Sequence, residues 1–320
     1  LQRARIAEGV GDHAVHRHRE QLQADEEGGE VAAAREHESA EHGDQQQQVD
    51  FLAVALVALH VGVGKRGAGQ RGDEQQAHVE AGIRSGDITM PEEINRMVTD
   101  SITDYFFTTS EIANENLKKT GITDSQIFFV GNTMIDTLLK QQQNFRKPAI
   151  WDKANLKKGN YLVMTLHRPA NVDEGNNLKG LITEITTNSN GLPVIFPVHP
   201  RTAKMLANVG ITGNNLYFID PLGYLEFNYL VKYAKGVITD SGGITEETTV
   251  MGIPCMTLRD STERPETCTI GTNELLGTDS ATIAPALKKL FDGRWKKGSI
   301  PKLWDGKTAP RIVSKLMALY

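Results

Sequence analysis

The chain has 320 residues and a net charge of −5, with 39% hydrophobic and 23% charged residues. That length makes about two domains at ~150 residues each, with enough apolar content for a sizeable core. The small negative balance argues against nucleic-acid or membrane-surface binding. Two cysteines, Cys255 and Cys268, exclude a disulfide framework, and no Cys/His cluster has zinc spacing, so no metal is expected.

Residues 1–76 differ from the rest. They contain no Asn, Thr, Pro, Tyr, Trp, Met or Cys, one Ile and one Lys, yet six of the nine histidines and a glutamine run at 45–48. Their apolar stretch, Phe51–Val63, is too short to span a bilayer and too far along the chain to be a signal peptide. The expected compartment is therefore cytoplasmic. Two readings of this atypical segment stay open. One is a weakly ordered arm with a helix around Phe51–His60, as its composition suggests. The other is a stretch not read from the natural frame.

From about Ala77 the pattern is regular. Tyr105–Thr109 and Ile127–Val130 read as short buried strands, with a helix from about Glu111 to Lys119 between them. Gly131-Asn132 opens another helix, and Asn144–Gly159, with Pro148 and several lysines, reads as a crossing between domains. Further strands are expected at Tyr161–Thr165, Pro193–Val198, Leu216–Ile219, Gly236–Thr239 and Pro254–Leu258, each separated by enough chain for a helix. Strands alternating with helices imply an α/β fold with parallel sheets, and ligands then bind beyond the carboxyl ends of the strands.

Charged and glycine-rich motifs fall at those ends. In Thr239-Asp240-Ser241-Gly242-Gly243 a strand ends, two glycines permit close approach of a ligand to the backbone, and a helix begins. A phosphate is favoured there by free N–H groups and the helix dipole. Asp240 or Ser241 capping the helix is the plainer reading. Glu246 and Glu247, in the first turn, suit a helix N-terminus or would accept from ribose hydroxyls. His167-Arg168, His199-Pro200-Arg201 and the run from His78 through Glu80 to Arg84 place three histidines at expected strand ends beside charge, which points to an anion-binding, proton-moving site. Glu92 and Arg96 share a helical face at i, i+4, consistent with a surface salt bridge. The run Arg259–Glu266 is dense in charge directly after a buried strand.

Together these stretches resemble the non-hydrolysing UDP-N-acetylglucosamine 2-epimerases. The matching segments are HVEAGIRSGD (78–87), MPEEINR (90–96), VGNTMIDTLL (130–139), TLHRPANVD (165–173), FPVHPRT (196–202), IDPLGYLEF (219–227), TDSGGITEE (239–247), LRDSTERPE (258–266) and GTNELLG (271–277). The resemblance implies two Rossmann-like domains with a cleft between them, in the glycosyltransferase B manner. Residues 77–155 would belong to the first and 156–320 to the second, with the last helix packing back on the first. It implies that Ser241, Gly242 and Gly243 hold a diphosphate, Glu247 the ribose and Phe227 the uracil, with Arg264 near the sugar-phosphate. Glu80, Glu92 and His167 would be catalytic, with Arg84, Arg168 and His199 in allosteric or supporting roles. The implied chemistry is anti elimination of UDP and re-addition, without metal or other cofactor, in a homodimer that binds UDP-N-acetylglucosamine.

Some family features are missing. The family's first loop, a glycine-threonine-arginine-proline-glutamate run whose arginine contacts phosphate, has no counterpart in residues 1–76. The same holds for its Gly-Asp-Thr turn with a catalytic aspartate. The N-terminal domain is therefore in doubt over 1–76. Thr245 also stands where the family usually has Gln. Two alternatives remain: an epimerase of a uronic acid derived from UDP-N-acetylglucosamine, or a UDP-sugar-binding protein without turnover.

Overall fold

The computed structural model describes residues 58–59, 75–172, 175–198, 206 and 215–319. Two sheets organise them. The first has four strands in the order β1 (Ala58–Leu59), β2 (Ala77–Ala81), β3 (Tyr105–Thr108) and β4 (Ile127–Phe129). The last three run parallel, while β1 pairs antiparallel with β2, Ala58 opposite His78. Ala58 and Leu59 are thus strand and not the helix expected around Phe51–His60. The rest of that expected helix lies outside the described residues, as does most of the atypical segment.

The second sheet is wholly parallel. It contains β5 (Leu162–Thr165), β6 (Val194–Pro197), β7 (Leu216–Ile219), β8 (Gly236–Thr239), β9 (Cys255–Thr257) and β10 (Asn273–Leu275), in the order β10-β9-β8-β5-β6-β7. Most of these strands match the sequence expectation to within a residue at each end. Leu162, Met164, Val194, Phe196, Ile238 and Met256 pack on one face with Leu178, Ile182 and Ile185 of the Gly175–Asn188 helix and Leu287 and Leu290 of the Ile283–Phe291 helix. The alternate residues Val163, Ile195, Val237 and Cys255 meet Ile150, Leu156, Leu230 and Val231 on the opposite face. This period-two division, with both faces covered, is why the strands read as continuous apolar runs. Each such side chain taken from water contributes ~1.5–3 kcal/mol before entropy is charged against it.

The expected crossing at 144–159 is not a bare linker. It forms the short Ala149–Lys153 helix, and Ile150 and Leu156 enter the second core. The chain returns to the first sheet at its far end. Ile312 and Leu316 of the Thr308–Leu319 helix pack with Ala77, Val79, Phe107 and Val130. Between the sheets, Ile135, Leu138 and Trp304 form a small apolar cluster with Val250 and Met251, and the Trp304 indole donates to the Thr109 carbonyl at 3.0 Å. Gly131 is required in this seam: at φ +108° an added Cβ would sit 2.3 Å from the Leu303 carbonyl oxygen. Among the described residues no helix is long and apolar enough to cross a membrane.

Candidate active site

In the second sheet the strand order reverses between β5 and β8, which are adjacent and in register, Thr165 opposite Thr239. Such a switch point opens a crevice beyond the strand ends. The two threonine hydroxyls lie 2.7 Å apart and join the strands at their carboxyl ends. His167-Arg168 follows β5, and Asp240-Ser241-Gly242-Gly243 follows β8.

Asp240 is fully buried. It accepts from the backbone N–H groups of His167 (3.0 Å) and Arg168 (2.9 Å) and from Asn171 Nδ2 (3.1 Å), and its Oδ1 lies 2.7 Å from His167 Nδ1. Burial alone would raise the carboxyl, but the hydrogen bonds and charge from His167, Arg168 and Asn171 outweigh it and hold Asp240 below the ordinary aspartate range. Asp240 thus ties the β5 turn to the β8 turn and does not cap the following helix.

That helix runs Gly242–Met251 with Ser241 at its N-cap, and the Ser241 side chain makes no capping bond. Its hydroxyl and the first-turn N–H groups of Gly242 and Gly243 stand without helical partners. A Cβ on Gly242 would meet only Arg259 Nη1 at 3.7 Å and Glu263 Oε2 at 3.8 Å, so the bare backbone there is not demanded by packing. Thr245, where the family has Gln, is buried and bonds back to the Gly242 carbonyl at 2.6 Å. Glu247 is also buried. It accepts from the Tyr224 hydroxyl (2.9 Å) and from Asn228 (3.5 Å), and burial raises its carboxyl. Phe227, half-buried, packs with Leu222 and Ile244 against the second core.

Glu80 occupies the first sheet's contribution to the site. The β2–β3 register slips between Val79 and Ala81, leaving Glu80 as a bulge with φ +66°. The bulge moves Ala81 to the opposite face from Ala77 and Val79, where it packs with Phe106 and Leu117. A non-glycine residue held in this region costs ~1–3 kcal/mol and is characteristic of functional positions. The Glu80 carboxylate accepts from Thr133 Oγ1 at 2.7 Å and pairs with Arg264 Nη2 at 3.2 Å. Arg264 also pairs through Nε with Glu246 Oε1 at 2.7 Å, and Asn132 Nδ2 donates to that same oxygen at 2.7 Å. Arg264 therefore links carboxylates from both sheets. Burial pushes Glu246 up to about 8, Arg264 opposing and Glu80 and Glu266 adding to the rise.

Other expected residues have different surroundings. His78 lies inside β2 and not at a strand end. It is buried, with Nδ1 2.6 Å from Asp100 Oδ1, so it is a structural histidine. Arg84 pairs with Asp100 Oδ2 at 2.5 Å and donates to the Ile83 carbonyl. Arg96 pairs with Glu93 at 3.6 Å and not with Glu92. Glu93 is turned inward, where its carboxylate receives the Ser85 and Gly86 backbone N–H groups. Glu92 is half-buried, and among the described residues its charge acts on Arg96 of the first half and Arg168 of the second. Burial lowers Arg168, and its Nη2 lies 3.8 Å from Glu263. Glu263 is held near 2 by Arg259, whose two bonds at 2.8 and 3.0 Å overcome burial. His199 lies outside the described residues. Asp240, Glu246, Asn132 and Thr133 join the site in ways the sequence did not suggest. Asp240 was read as a helix cap, Glu246 as first-turn charge or a ribose acceptor and Asn132 as the opening of a helix, which it does cap, while Thr133 was given no use.

A family model described as UDP-N-acetylglucosamine 2-epimerase matches residues 67–317. The UDP-N-acetylglucosamine 2-epimerase of Methanocaldococcus jannaschii is 39% identical over 250 residues, covering 74% of this chain and 67% of that protein. A Methanococcus maripaludis relative of the same name is 39% identical, with 75% and 65% covered, so the chain spans about two thirds of these relatives' length. The Escherichia coli K12 protein of that name is 33% identical, with 75% and 68% covered. Among solved structures, the M. jannaschii UDP-GlcNAc 2-epimerase in complex with UDP-GlcNAc and UDP is similar with a TM-score of 0.65 at 38% identity, covering 76% of this chain and 69% of that one. The Neisseria meningitidis UDP-GlcNAc 2-epimerase bound to UDP-GlcNAc gives a TM-score of 0.68 at 26% identity, with 77% and 70% covered. The wholly parallel second sheet and the first sheet, parallel apart from β1, are the Rossmann-like halves of a glycosyltransferase B-like fold, as the motifs implied.

Proposed function

The chain belongs to the UDP-N-acetylglucosamine 2-epimerase family, and from that premise we propose that it interconverts UDP-N-acetylglucosamine and UDP-N-acetylmannosamine by anti elimination of UDP and re-addition. The carrying observation is the pairing of an anion-ready turn, Ser241–Gly243 at the switch point, with a carboxylate, Glu80, held on a strained bulge across the seam. Elimination needs both a base for the weakly acidic hydrogen at C2 and stabilisation of the departing diphosphate. In this reading the first-turn N–H groups of Gly242 and Gly243, with Ser241 Oγ, receive the diphosphate. Glu247, steadied by Tyr224 and Asn228, accepts from the ribose, and Phe227 lies against the uracil. Glu80 and Glu92 handle the proton at C2 and its return, with His167 at the phosphate and sugar and Arg264 as counter-charge. Arg84, Arg168 and His199 are supporting groups. Residues 77–155 and 156–320 are the two domains. The protein works in the cytoplasm as a homodimer, and the exposed Ile94, Val98 and Ile102 beside the Pro91–Ser101 helix axis supply an apolar surface suited to self-association.

A second reading, binding without turnover, is favoured by one observation: residues 1–66 lie outside the family match and contain no glycine-threonine-arginine-proline-glutamate run. One experiment separates the two. Incubation with UDP-N-acetylglucosamine in deuterated water should yield the manno epimer carrying deuterium at C2, followed by proton NMR. Binding of UDP with neither exchange nor epimer would reject catalysis in favour of the second reading.

A further inference from the structure

The Asp240–His167 contact carries more than architecture. We propose that Asp240 is a positioning residue that fixes His167 with its proton on Nδ1, so that Nε2 is the ring atom presented to the diphosphate of a bound nucleotide. This rests on the UDP-binding reading above. The carboxylate can only accept, and its Oδ1 lies 2.7 Å from Nδ1, so Nδ1 must be the donor. Oδ2 is already engaged by the Arg168 N–H and Asn171 Nδ2, and the His167 N–H reaches both oxygens at 3.2 and 3.0 Å. The carboxylate is therefore locked in place, and the ring is locked by it. Asp240 has no exposure while the His167 side chain retains 41%, so the imidazole passes from a buried partner to an open edge. That edge lies in the same switch-point crevice as Ser241 and Gly242, one and two residues beyond Asp240. When Nε2 also carries a proton, the Asp240 charge balances the ring, and Nε2–H donates to a diphosphate oxygen.

The Asp240→Asn substitution turns this into an inversion. Asparagine offers one oxygen, and three N–H donors hold it: the backbone groups of His167 and Arg168, which can only donate, and the Asn171 amide, kept donating by the Leu258 carbonyl it also reaches at 3.0 Å. The new NH2 group must then face the ring and force Nδ1 to accept, moving the proton to Nε2. Nitrogen-15 NMR of histidine-labelled protein reads this directly, with His167→Gln identifying the signals. In the wild type Nδ1 should carry the proton, and saturating UDP should shift the Nε2 resonance. In Asp240→Asn the tautomer should invert, with UDP affinity about 10-fold weaker as one charge-assisted bond becomes a neutral one. A wild-type Nδ1 without a proton overturns the proposal even if the variant fails to fold, and so does an Nε2 signal indifferent to UDP. If epimerisation is absent while Nε2 still answers UDP, the catalytic reading fails and this one stands.

Discussion

The two sheets meet the site in opposite ways. At the second, every contributing element is regular: β5 and β8 are in register, their terminal hydroxyls bond each other, and Asp240 has a donor for each lone pair it turns inward. At the first, the register breaks, Glu80 takes a left-handed φ, and its carboxylate is held by a guanidinium shared with a second buried acid. A diphosphate can be received by what any strand-turn-helix unit leaves free, whereas a proton-handling group needs one side chain placed off the pleat and held in a fixed position. The difference separates an inherited property of the architecture from one built against it.

Breaking the strained side first gives the largest effect. Glu80→Gln preserves the shape and the Thr133 bond but removes the carboxylate proposed as the base. Turnover should fall ~10²–10⁴-fold, the usual worth of a general acid or base, with UDP affinity within a few-fold of wild type by calorimetry. Equal losses in both would mean that Glu80 serves the binding surface and that the contrast between the sheets is false.

The regular side breaks at Gly242. Gly242→Leu should leave the thermal midpoint close to wild type, because a Cβ there finds only ordinary contacts. UDP affinity should drop roughly 100-fold, as backbone approach is blocked and one or two charge-assisted bonds are lost. Affinity unchanged in a folded variant would remove the diphosphate from this turn.

The smallest effect sharpens the comparison through pH. Glu246, pushed up to about 8 from an ordinary 4.5, keeps its proton on folding across that window while the unfolded chain gives it up. The folded state then binds more protons, so the Glu246 contribution to stability is greatest below 4.5 and declines as pH rises towards 8. Glu246→Gln should remove about one proton from that slope, ~1.4 kcal/mol per pH unit, in urea midpoints measured from pH 5 to 8. Glu263, held near 2, works oppositely: its contribution is present above 4.5 and is lost as pH falls through 2. An unchanged slope in the variant would mean that Glu246 is ionised beside Arg264.

Strand positions were legible because apolar runs such as LVMT, VIFP and GVIT leave little choice, and the glycine-rich turn was legible because a strand end followed by Ser-Gly-Gly has few uses. The Glu80 bulge was not. A register slip depends on how β2 meets β3, which no local pattern records, and without the slip Glu80 is an ordinary strand residue. His78 misled for the same reason: its strand continues past it, and its partner Asp100 is 22 positions away. Arg96 choosing Glu93 over Glu92 turned on which acid faced inward, and the Ser85-Gly86 turn decided that. Charge pairing across the seam, as in Asn132 with Glu246, 114 positions apart, is invisible to spacing altogether.

The return of the Thr308–Leu319 helix to the first sheet has a consequence for how the molecule is made. Ala77, Val79 and Phe107 leave the ribosome long before Ile312 and Leu316, which cover them. At ~5–20 residues per second, that face of the early half waits ten seconds or more for its cover, while the second sheet already has its own helices on both faces. Vectorial synthesis therefore favours maturation of the later half first, with the earlier one completed by the last turn of chain. A nascent chain stalled before residue 308 should show protease-resistant second-sheet fragments and a cleavable first sheet.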